Sequence, residues 1–200
     1  MIDATATRGV VLEMKDERRA MHDGYVFLDE KCLLLAAEIL RELERYGALR
    51  REFINLNAGA IAALEAAIAR HGLHGLQVYP AADLTGSRIS DSRRAVMGVR
   101  LQEVALDAGS LAALPAMDPS PEAEACRRAF AGLLATAGPL AASSGNLERL
   151  SLEYQRSARR ARALQDVLLP ELDREVYEIE SHLQELEQED AIWMRRQSKA

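Results

Sequence analysis

Residues 146–196 read NLERLSLEYQRSARRARALQDVLLPELDREVYEIESHLQELEQEDAIWMRR, and a stripe of apolar and small side chains recurs through them at steps of three and four residues. The first half of the stripe consists of Leu147, Leu150, Tyr154, Ser157, Ala161, Leu164 and Leu168. This heptad spacing keeps one side of an α-helix against a partner helix. The stretch therefore predicts a long helix that is paired along its length.

The stripe slips by one residue beside Pro170. An unbroken count would reach Glu171 and Glu175, which cannot form a dry seam. The stripe resumes instead at Leu172, Val176, Ile179, Leu183 and Leu186. Proline removes one backbone donor and crowds the preceding turn, so we predict a bend or a rotation of the stripe at this point.

A second stripe lies in the N-terminal part of the chain, between residues 5 and 71. It consists of Met21, Tyr25, Leu28, Cys32, Leu35 and Ile39. A long helix is not stable alone and needs a partner surface, which the C-terminal stripe supplies. The predicted seam joins these residues to Leu164, Leu168, Leu172, Val176, Ile179 and Leu183.

These two stripes predict a mainly α fold. Its core is a long antiparallel two-helix coiled coil formed by the N- and C-terminal helices. In an antiparallel pair the numbers of facing residues add to a nearly constant value, and the apolar match places Met21 opposite Leu183 and Phe53 opposite Leu150. A shift by one heptad keeps much of that match, so the register stays open.

The sequence between the two stripes lacks the heptad pattern and contains strand and turn signals. The alternation from Val96 to Val104 predicts a strand within a short β-hairpin. Ser120 and Pro121 fit the N-cap and the first position of a short helix. Gly138-Pro139 and Ser143-Ser144-Gly145 predict that this helix breaks or kinks before the long C-terminal helix. We predict four regions: an N-terminal long helix at 1–72, a β-hairpin and loop region at 73–118, a short helix at 119–138 and a C-terminal long helix at 139–200.

Composition narrows the class of protein. The net charge of −6 argues against general nucleic-acid binding, and Cys32 and Cys126 are far apart in apolar surroundings, which predicts reduced thiols. No apolar run approaches the roughly 20 residues that a membrane span needs. The sequence therefore predicts a soluble, cytosolic chain.

Catalytic and cofactor motifs are absent from the sequence. It contains no Gly-Lys dipeptide of a phosphate loop, no zincin motif, no Cys-x-x-Cys pair and no glycine-rich dinucleotide fingerprint. His71 and His74 could form a metal pair or a solvated helix end, and the second interpretation is favoured. The arginines at 156, 159, 160 and 162 could contact a partner or pair with Glu38, Glu42 and Glu44. We predict no catalytic residue, no metal and no cofactor.

The C-terminal stripe also carries a family resemblance. The residues Arg159-Arg160-Ala161-Arg162-Ala163-Leu164, then Pro170, then Ile179-x-x-x-Leu183-x-Glu185-Leu186-Glu187 resemble the C-terminal signature of the D subunit of V-type (vacuolar, archaeal and bacterial) ATPases. The Gly24-x-x-x-Leu28-x-x-Lys31 segment resembles the N-terminal part of that family. The chain departs from the pattern with alanine at 161 and 163, where the family has valine and asparagine, and with Gln165 in place of glutamate. The signature residues are Arg159, Arg160, Ala163, Leu164, Pro170, Leu183, Glu185 and Glu187.

The resemblance implies the central-stalk rotor axle of a rotary ATPase or ATP synthase. It implies a non-catalytic protein that transmits torque between the membrane ring and a catalytic head of A and B subunits. The F subunit of the stalk and the ring-linking C (or d) subunit are the other implied partners, and the implied location is cytoplasmic and peripheral to the membrane. The alternative is the helical stalk protein of a type III export ATPase, which normally lacks an insertion such as residues 76–138.

Overall fold

The computed structural model describes residues 7–80, 87–107 and 115–197. The chain forms helix α1 at Arg8–Gln77, strands β1 at Arg88–Val96 and β2 at Val99–Asp107, and helix α2 at Pro121–Ala163. A π-helical turn at Leu164–Leu168 leads directly into helix α3 at Leu169–Gln197. This order confirms the predicted fold class, with long helices at both ends and a two-stranded antiparallel sheet between them. The parts of the predicted regions at 1–6, 81–86, 108–114 and 198–200 lie outside the described residues.

Helix α1 contains one backbone break, at Gly72. This residue has φ 71° and ψ 164°, a conformation with positive φ that glycine adopts without the steric cost of a Cβ. The regular helix that starts at Arg8 is therefore interrupted there, and a short helical stretch follows to Gln77. The break falls at residue 72, the last residue of the predicted N-terminal long helix.

Of the break or kink predicted at Gly138-Pro139, the break is wrong, because α2 continues through Pro139 from Pro121 to Ala163. A proline inside a helix costs about 3 kcal/mol, so neighbouring contacts must hold the helix together. At the adjacent Gly138 the helix lies close to the hairpin, since a Cβ built there would lie 3.5 Å from Val104 Cγ1 and 3.7 Å from Leu106 Cβ. The start of α2 agrees with the prediction, because Ser120 Oγ accepts the backbone N–H of Ala123 at 3.1 Å.

The hairpin turn is formed by Met97 and Gly98, with φ of 48° and 83°. Positive φ at both central residues is the geometry of the tight turns that match the twist of paired strands. The strand predicted from Val96 to Val104 is confirmed for Val99 to Val104, but it wrongly included the turn. Val96 ends β1 and pairs with Val99, the first residue of β2. The alternation of side chains continued across the turn and concealed it.

The chain divides into two compact units. We call Met1–Leu34 with Tyr154–Ala200 the helical unit, and Leu35–Glu153 the hairpin unit. In the helical unit α1 and α3 run antiparallel, since Arg8 pairs with Glu187 at 2.5 Å, Lys15 with Glu180 at 2.5 Å, and Arg18 with Asp173.

These ion pairs correct the predicted register. Leu183, predicted opposite Met21, lines a groove with Val11 and Leu12. In the hairpin unit Leu150, predicted opposite Phe53, lies in one buried cluster with Leu35. The observed alignment differs by more than one heptad, because a heptad stripe offers a similar apolar match at each repeat.

The π-helical turn coincides with the slip in the stripe. The N–H of Leu169 donates to the carbonyl of Leu164, five residues earlier, so the turn holds one residue more than an α-helical turn. Pro170 follows directly. The spacing from Leu164 to Leu172 exceeds one heptad by one residue, and the wide turn absorbs that residue.

Candidate functional site

The hairpin unit contains a junction at which β1 and β2 dock onto α1 and α2. Leu35, Val99, Leu101 and Leu150 form its buried cluster, and Ile39 and Val96 pack against this cluster. Leu101 and Leu150 are completely buried. The hairpin is thus fixed to both helices by side chains of β2 and of the turn-proximal end of β1.

Asn146 of α2 binds the outer edge of β2. The N–H of Gln102 donates to Asn146 Oδ1 at 2.9 Å, and Asn146 Nδ2 donates to the carbonyl of Gln102 at 2.8 Å. The Asn146 amide therefore takes the place of a neighbouring strand. It is 1% exposed, and its Nδ2 also lies 3.4 Å from Glu42 Oε1.

Arg94 of β1 joins the strand to two carboxylates of α1. Its Nη2 lies 2.5 Å from Glu38 Oε1 and 4.0 Å from Glu42 Oε2. The two glutamates are 5% and 3% exposed and one helical turn apart on the same side of α1. Arg41 adds a contact of 3.2 Å to Glu38 Oε2. Buried carboxylates need such partners, so Arg94 helps to hold the hairpin against α1.

Replacement of Asn146 by alanine is expected to lower the free energy of unfolding by about 2 kcal/mol, because the N–H and C=O of Gln102 lose their buried partner. The amide of Gln102 is expected to exchange with deuterium faster, by roughly tenfold. Asn55→Ala, at an exposed position of α1, is the matched control and should change neither quantity measurably. Unchanged exchange at Gln102 in the Asn146 variant would contradict this role.

The predicted seam residues of the helical unit are mostly shielded. Leu172 and Val176 are buried; Met21, Tyr25, Leu28, Cys32, Leu164, Ile179 and Leu183 are half-buried. Leu168 is the exception at 39% exposure, because it ends the π-helical turn and points away from the stripe. In the hairpin unit Leu35 is buried and Ile39 half-buried, and both belong to the hairpin junction.

The signature residues serve different structural roles in the helical unit. Leu164 Cδ1 lies 3.9 Å from where a Cβ on Gly24 would be, Glu187 pairs with Arg8, and Leu183 lines the groove beside Val11. Pro170 is half-buried behind the π-helical turn. The remaining signature residues are exposed: Arg159, Arg160, Ala163 and Glu185.

Two of the three glutamates considered as partners for the C-terminal arginines bind a residue of the hairpin. Glu38 and Glu42 bind Arg94, a choice that sequence patterning alone could not make. Neither Arg94 nor Asn146 is among the site residues that the sequence predicts. The only local signal was an asparagine on the apolar side of a helix, between Ser143 and Leu150.

His71 contacts residues that precede α2. His71 Nε2 lies 2.6 Å from Ser120 Oγ, and its Nδ1 lies 3.6 Å from Asp118 Oδ2. Among the described residues no group of three or more His, Cys, Asp and Glu side chains could hold a metal ion. Both cysteines are free thiols, and burial raises the pKa of Cys32 and of Cys126, which lowers their thiolate fraction at neutral pH.

Comparison with known proteins shows which family the chain resembles. A family model described as the D subunit of ATP synthase matches residues 10–198. The chain is 26% identical to the A-type ATP synthase D subunit of Methanopyrus kandleri, over 97% of this chain and 85% of that protein. It is 23% identical to the V-type ATP synthase D subunit of Thermotoga neapolitana, covering 95% and 94% of the two chains. For the V-type D subunit of Anaeromyxobacter dehalogenans the identity is 28%, covering 98% and 96%.

The family model and the relatives match this chain over nearly its whole length, which includes the long helices and the hairpin. The chain is therefore a central-stalk subunit of a V/A-type ATPase. Within this class, the chain belongs to the ATP synthase D-subunit family. The matches do not favour the alternative of a type III export stalk.

Proposed function

We propose that the chain is the rotor axle of this complex and transmits torque between the membrane ring and a catalytic head of A and B subunits. The match to the D-subunit family over residues 10–198 carries the proposal, because it includes both long helices. The axle itself performs no chemistry in this proposal. It acts by population shift, since each orientation of the axle favours a different open or closed state at each nucleotide site.

The pairing of α1 with α3 by ion pairs in the helical unit supports this role. Two helices held side by side resist twisting better than one, and the three ion pairs tie α1 to α3 at separate points. Each exposed pair contributes less than about 1 kcal/mol, so the ion pairs fix the register while burial of the seam supplies the stability.

Exposed apolar side chains support a protein that works inside an assembly. In the helical unit they include Val26, Phe27, Leu33 and Leu34 of α1, and Ile192, Trp193 and Met194 of α3. In the hairpin unit they include Leu40, Leu43, Ile54 and Ile61. Large apolar side chains exposed in such number indicate surfaces that partners cover. We propose the A, B and F subunits and the ring-linking C (or d) subunit as these partners.

The proposed location is cytoplasmic and peripheral to the membrane. By length and composition alone, one described helix, α1, passes the test for a membrane span, with a window of mean hydropathy 1.2. Core helices of soluble proteins pass the same test. The Glu38 and Glu42 side chains on α1 are engaged by the hairpin, which favours a helix held within protein.

Truncation after Glu189 tests the axle directly. The truncated chain lacks the apolar end formed by Ile192, Trp193 and Met194, and we expect the reassembled complex to rotate with lower torque during ATP hydrolysis. Single-molecule rotation with an attached bead measures this torque.

A full-length variant with serine at positions 192, 193 and 194 is the matched control, because it keeps the length of the helix and loses only the apolar contacts. Undiminished torque after truncation, in a complex of normal composition, would contradict the axle proposal.

A further inference from the structure

The two edges of the hairpin differ in how far they are covered. A two-residue turn makes Val96 and Val99 a hydrogen-bonded pair. Counting from this pair, every second residue of each strand directs its N–H and C=O to the other strand, and the residues between direct theirs outward. On β2 the backbone groups of Gln102 then point away from β1, which agrees with their bonds to Asn146. A Cβ placed on Gly138 of α2 would lie 3.9 Å from the backbone nitrogen of Leu106, which is on the same edge of β2. Helix α2 therefore covers the outer edge of β2.

The same alternation leaves the outer edge of β1 open. The N–H and C=O groups of Ile89, Asp91, Arg93 and Ala95 point away from β2, because these residues occupy the non-bonded positions of the ladder. Within the described ranges, no residue bonds these groups. All β1 residues before Val96 are exposed. An open strand edge is a template for pairing with another extended segment.

Charge decides which segment fits. Strand β1 carries Arg88, Arg93 and Arg94 against the single acid Asp91. Arg94 is bound to Glu38, Arg93 Nη2 pairs with Asp91 Oδ2 at 2.8 Å, and Arg88 lies opposite Asp107 of β2. A second copy of β1 would place two strands of net positive charge side by side, which is less favourable than pairing with an acidic strand. A strand with carboxylates opposite Arg88 and Arg93 is complementary.

We propose that the outer edge of β1 binds an acidic extended segment of a neighbouring protein of the complex, which adds as a third strand to the sheet. The proposal rests on the proposed function, because the neighbour belongs to the same ATP synthase. A third strand would also stabilise the hairpin, since isolated two-stranded sheets are marginal in water. Ile89, which is 72% exposed, would gain an apolar neighbour from the added strand.

Hydrogen–deuterium exchange at single-residue resolution tests the proposal. The isolated chain is compared with the ATP synthase purified through an affinity tag on this chain. We expect the amides of residues 89, 91, 93 and 95 to exchange at least about tenfold more slowly in the complex, while the inward-bonded amides of 90, 92 and 94 change little. This alternation is the signature of an added strand. Equal rates in the two samples, or uniform slowing of all β1 amides, would overturn the proposal.

Variants of β1 test whether an added strand causes the slowed exchange. Ala95→Pro removes an outward N–H that the hairpin does not use, whereas Ser92→Pro removes an inward one and should open the hairpin itself. We expect Ala95→Pro to abolish the slowing at 91 and 93 in the complex, and Arg88→Glu with Arg93→Glu to do the same without proline.

Three further outcomes bear on the proposal. Slowed exchange that survives both variants would overturn it. Slowed exchange of these amides in the isolated chain at high concentration would show that a second copy of the chain binds the edge of β1. It would overturn the proposal of an acidic segment. If the tag recovers no other ATP synthase proteins, the proposed function fails; if it recovers them and β1 exchanges at unchanged rates, only the strand addition fails.

Discussion

Insertion of one alanine after Val167 is expected to lower the free energy of unfolding by about 4 kcal/mol. The π-helical turn already holds one residue beyond the heptad repeat, and a second extra residue rotates α3 by about 100° relative to α2. Leu172 and Val176, both 8% exposed, would then leave the seam. Each such side chain contributes about 2 kcal/mol when buried.

Deletion of Val167 is expected to be tolerated when Pro170 is replaced at the same time. Without Val167, Leu164 and Leu172 are one heptad apart, and an ordinary α-helix keeps both in the seam. Pro170 would then lie inside a regular helix at a cost of about 3 kcal/mol, so the deletion is combined with Pro170→Ala. The double change should leave the stability within about 1 kcal/mol of the unaltered chain.

Urea unfolding followed by circular dichroism measures these differences. Val167→Ala is the control for loss of the side chain, which is 49% exposed, and should cost little. If insertion and deletion were tolerated equally well, the seam would not be what fixes the rotation of α3.

Replacement of Arg94 by methionine is expected to destabilise the hairpin unit by about 3 kcal/mol. Glu38 and Glu42 would remain buried as neighbouring carboxylates, and removal of one partner from a buried ion pair is costly. Arg94 is itself 43% exposed, so water compensates part of the loss and the lower end of the usual range applies.

The double variant Arg94→Met with Glu38→Gln should recover about half of this loss, because only one buried carboxylate then lacks its arginine. Arg93→Met is the matched control: the neighbouring residue pairs with Asp91 at the surface, and its loss should cost less than about 1 kcal/mol. Denaturant unfolding of the four chains gives the comparison. Equal losses at 93 and 94 would show that the buried carboxylates are not held by Arg94.

The sequence predicted features that depend on local periodicity. The paired helices follow from the stripes, and the slip beside Pro170 coincides with the π-helical turn, since an extra residue in a heptad repeat must be accommodated nearby. The N-cap at Ser120 is likewise a local signal.

Features that depend on distant partners were not predictable. The register was wrong because successive heptads offer similar apolar matches, and only ion pairs such as Arg18–Asp173 distinguish them. Pro139 was expected to break or kink the helix, but α2 continues through it at a place where Gly138 lets the helix lie close to the hairpin, about thirty residues earlier in the chain. The bonds from Asn146 to Gln102 and from Arg94 to Glu38 likewise join residues far apart in sequence.

The wide turn at Leu164–Leu168 has a mechanical consequence. A hydrogen bond that reaches five residues back is less well aligned than its α-helical counterpart, and the proline that follows has no N–H to add. We expect this short segment to be more compliant than the regular helix on either side of it. If the protein is driven at one end and loaded at the other, elastic strain would concentrate in those few residues, which would act as a torsion spring between successive catalytic steps.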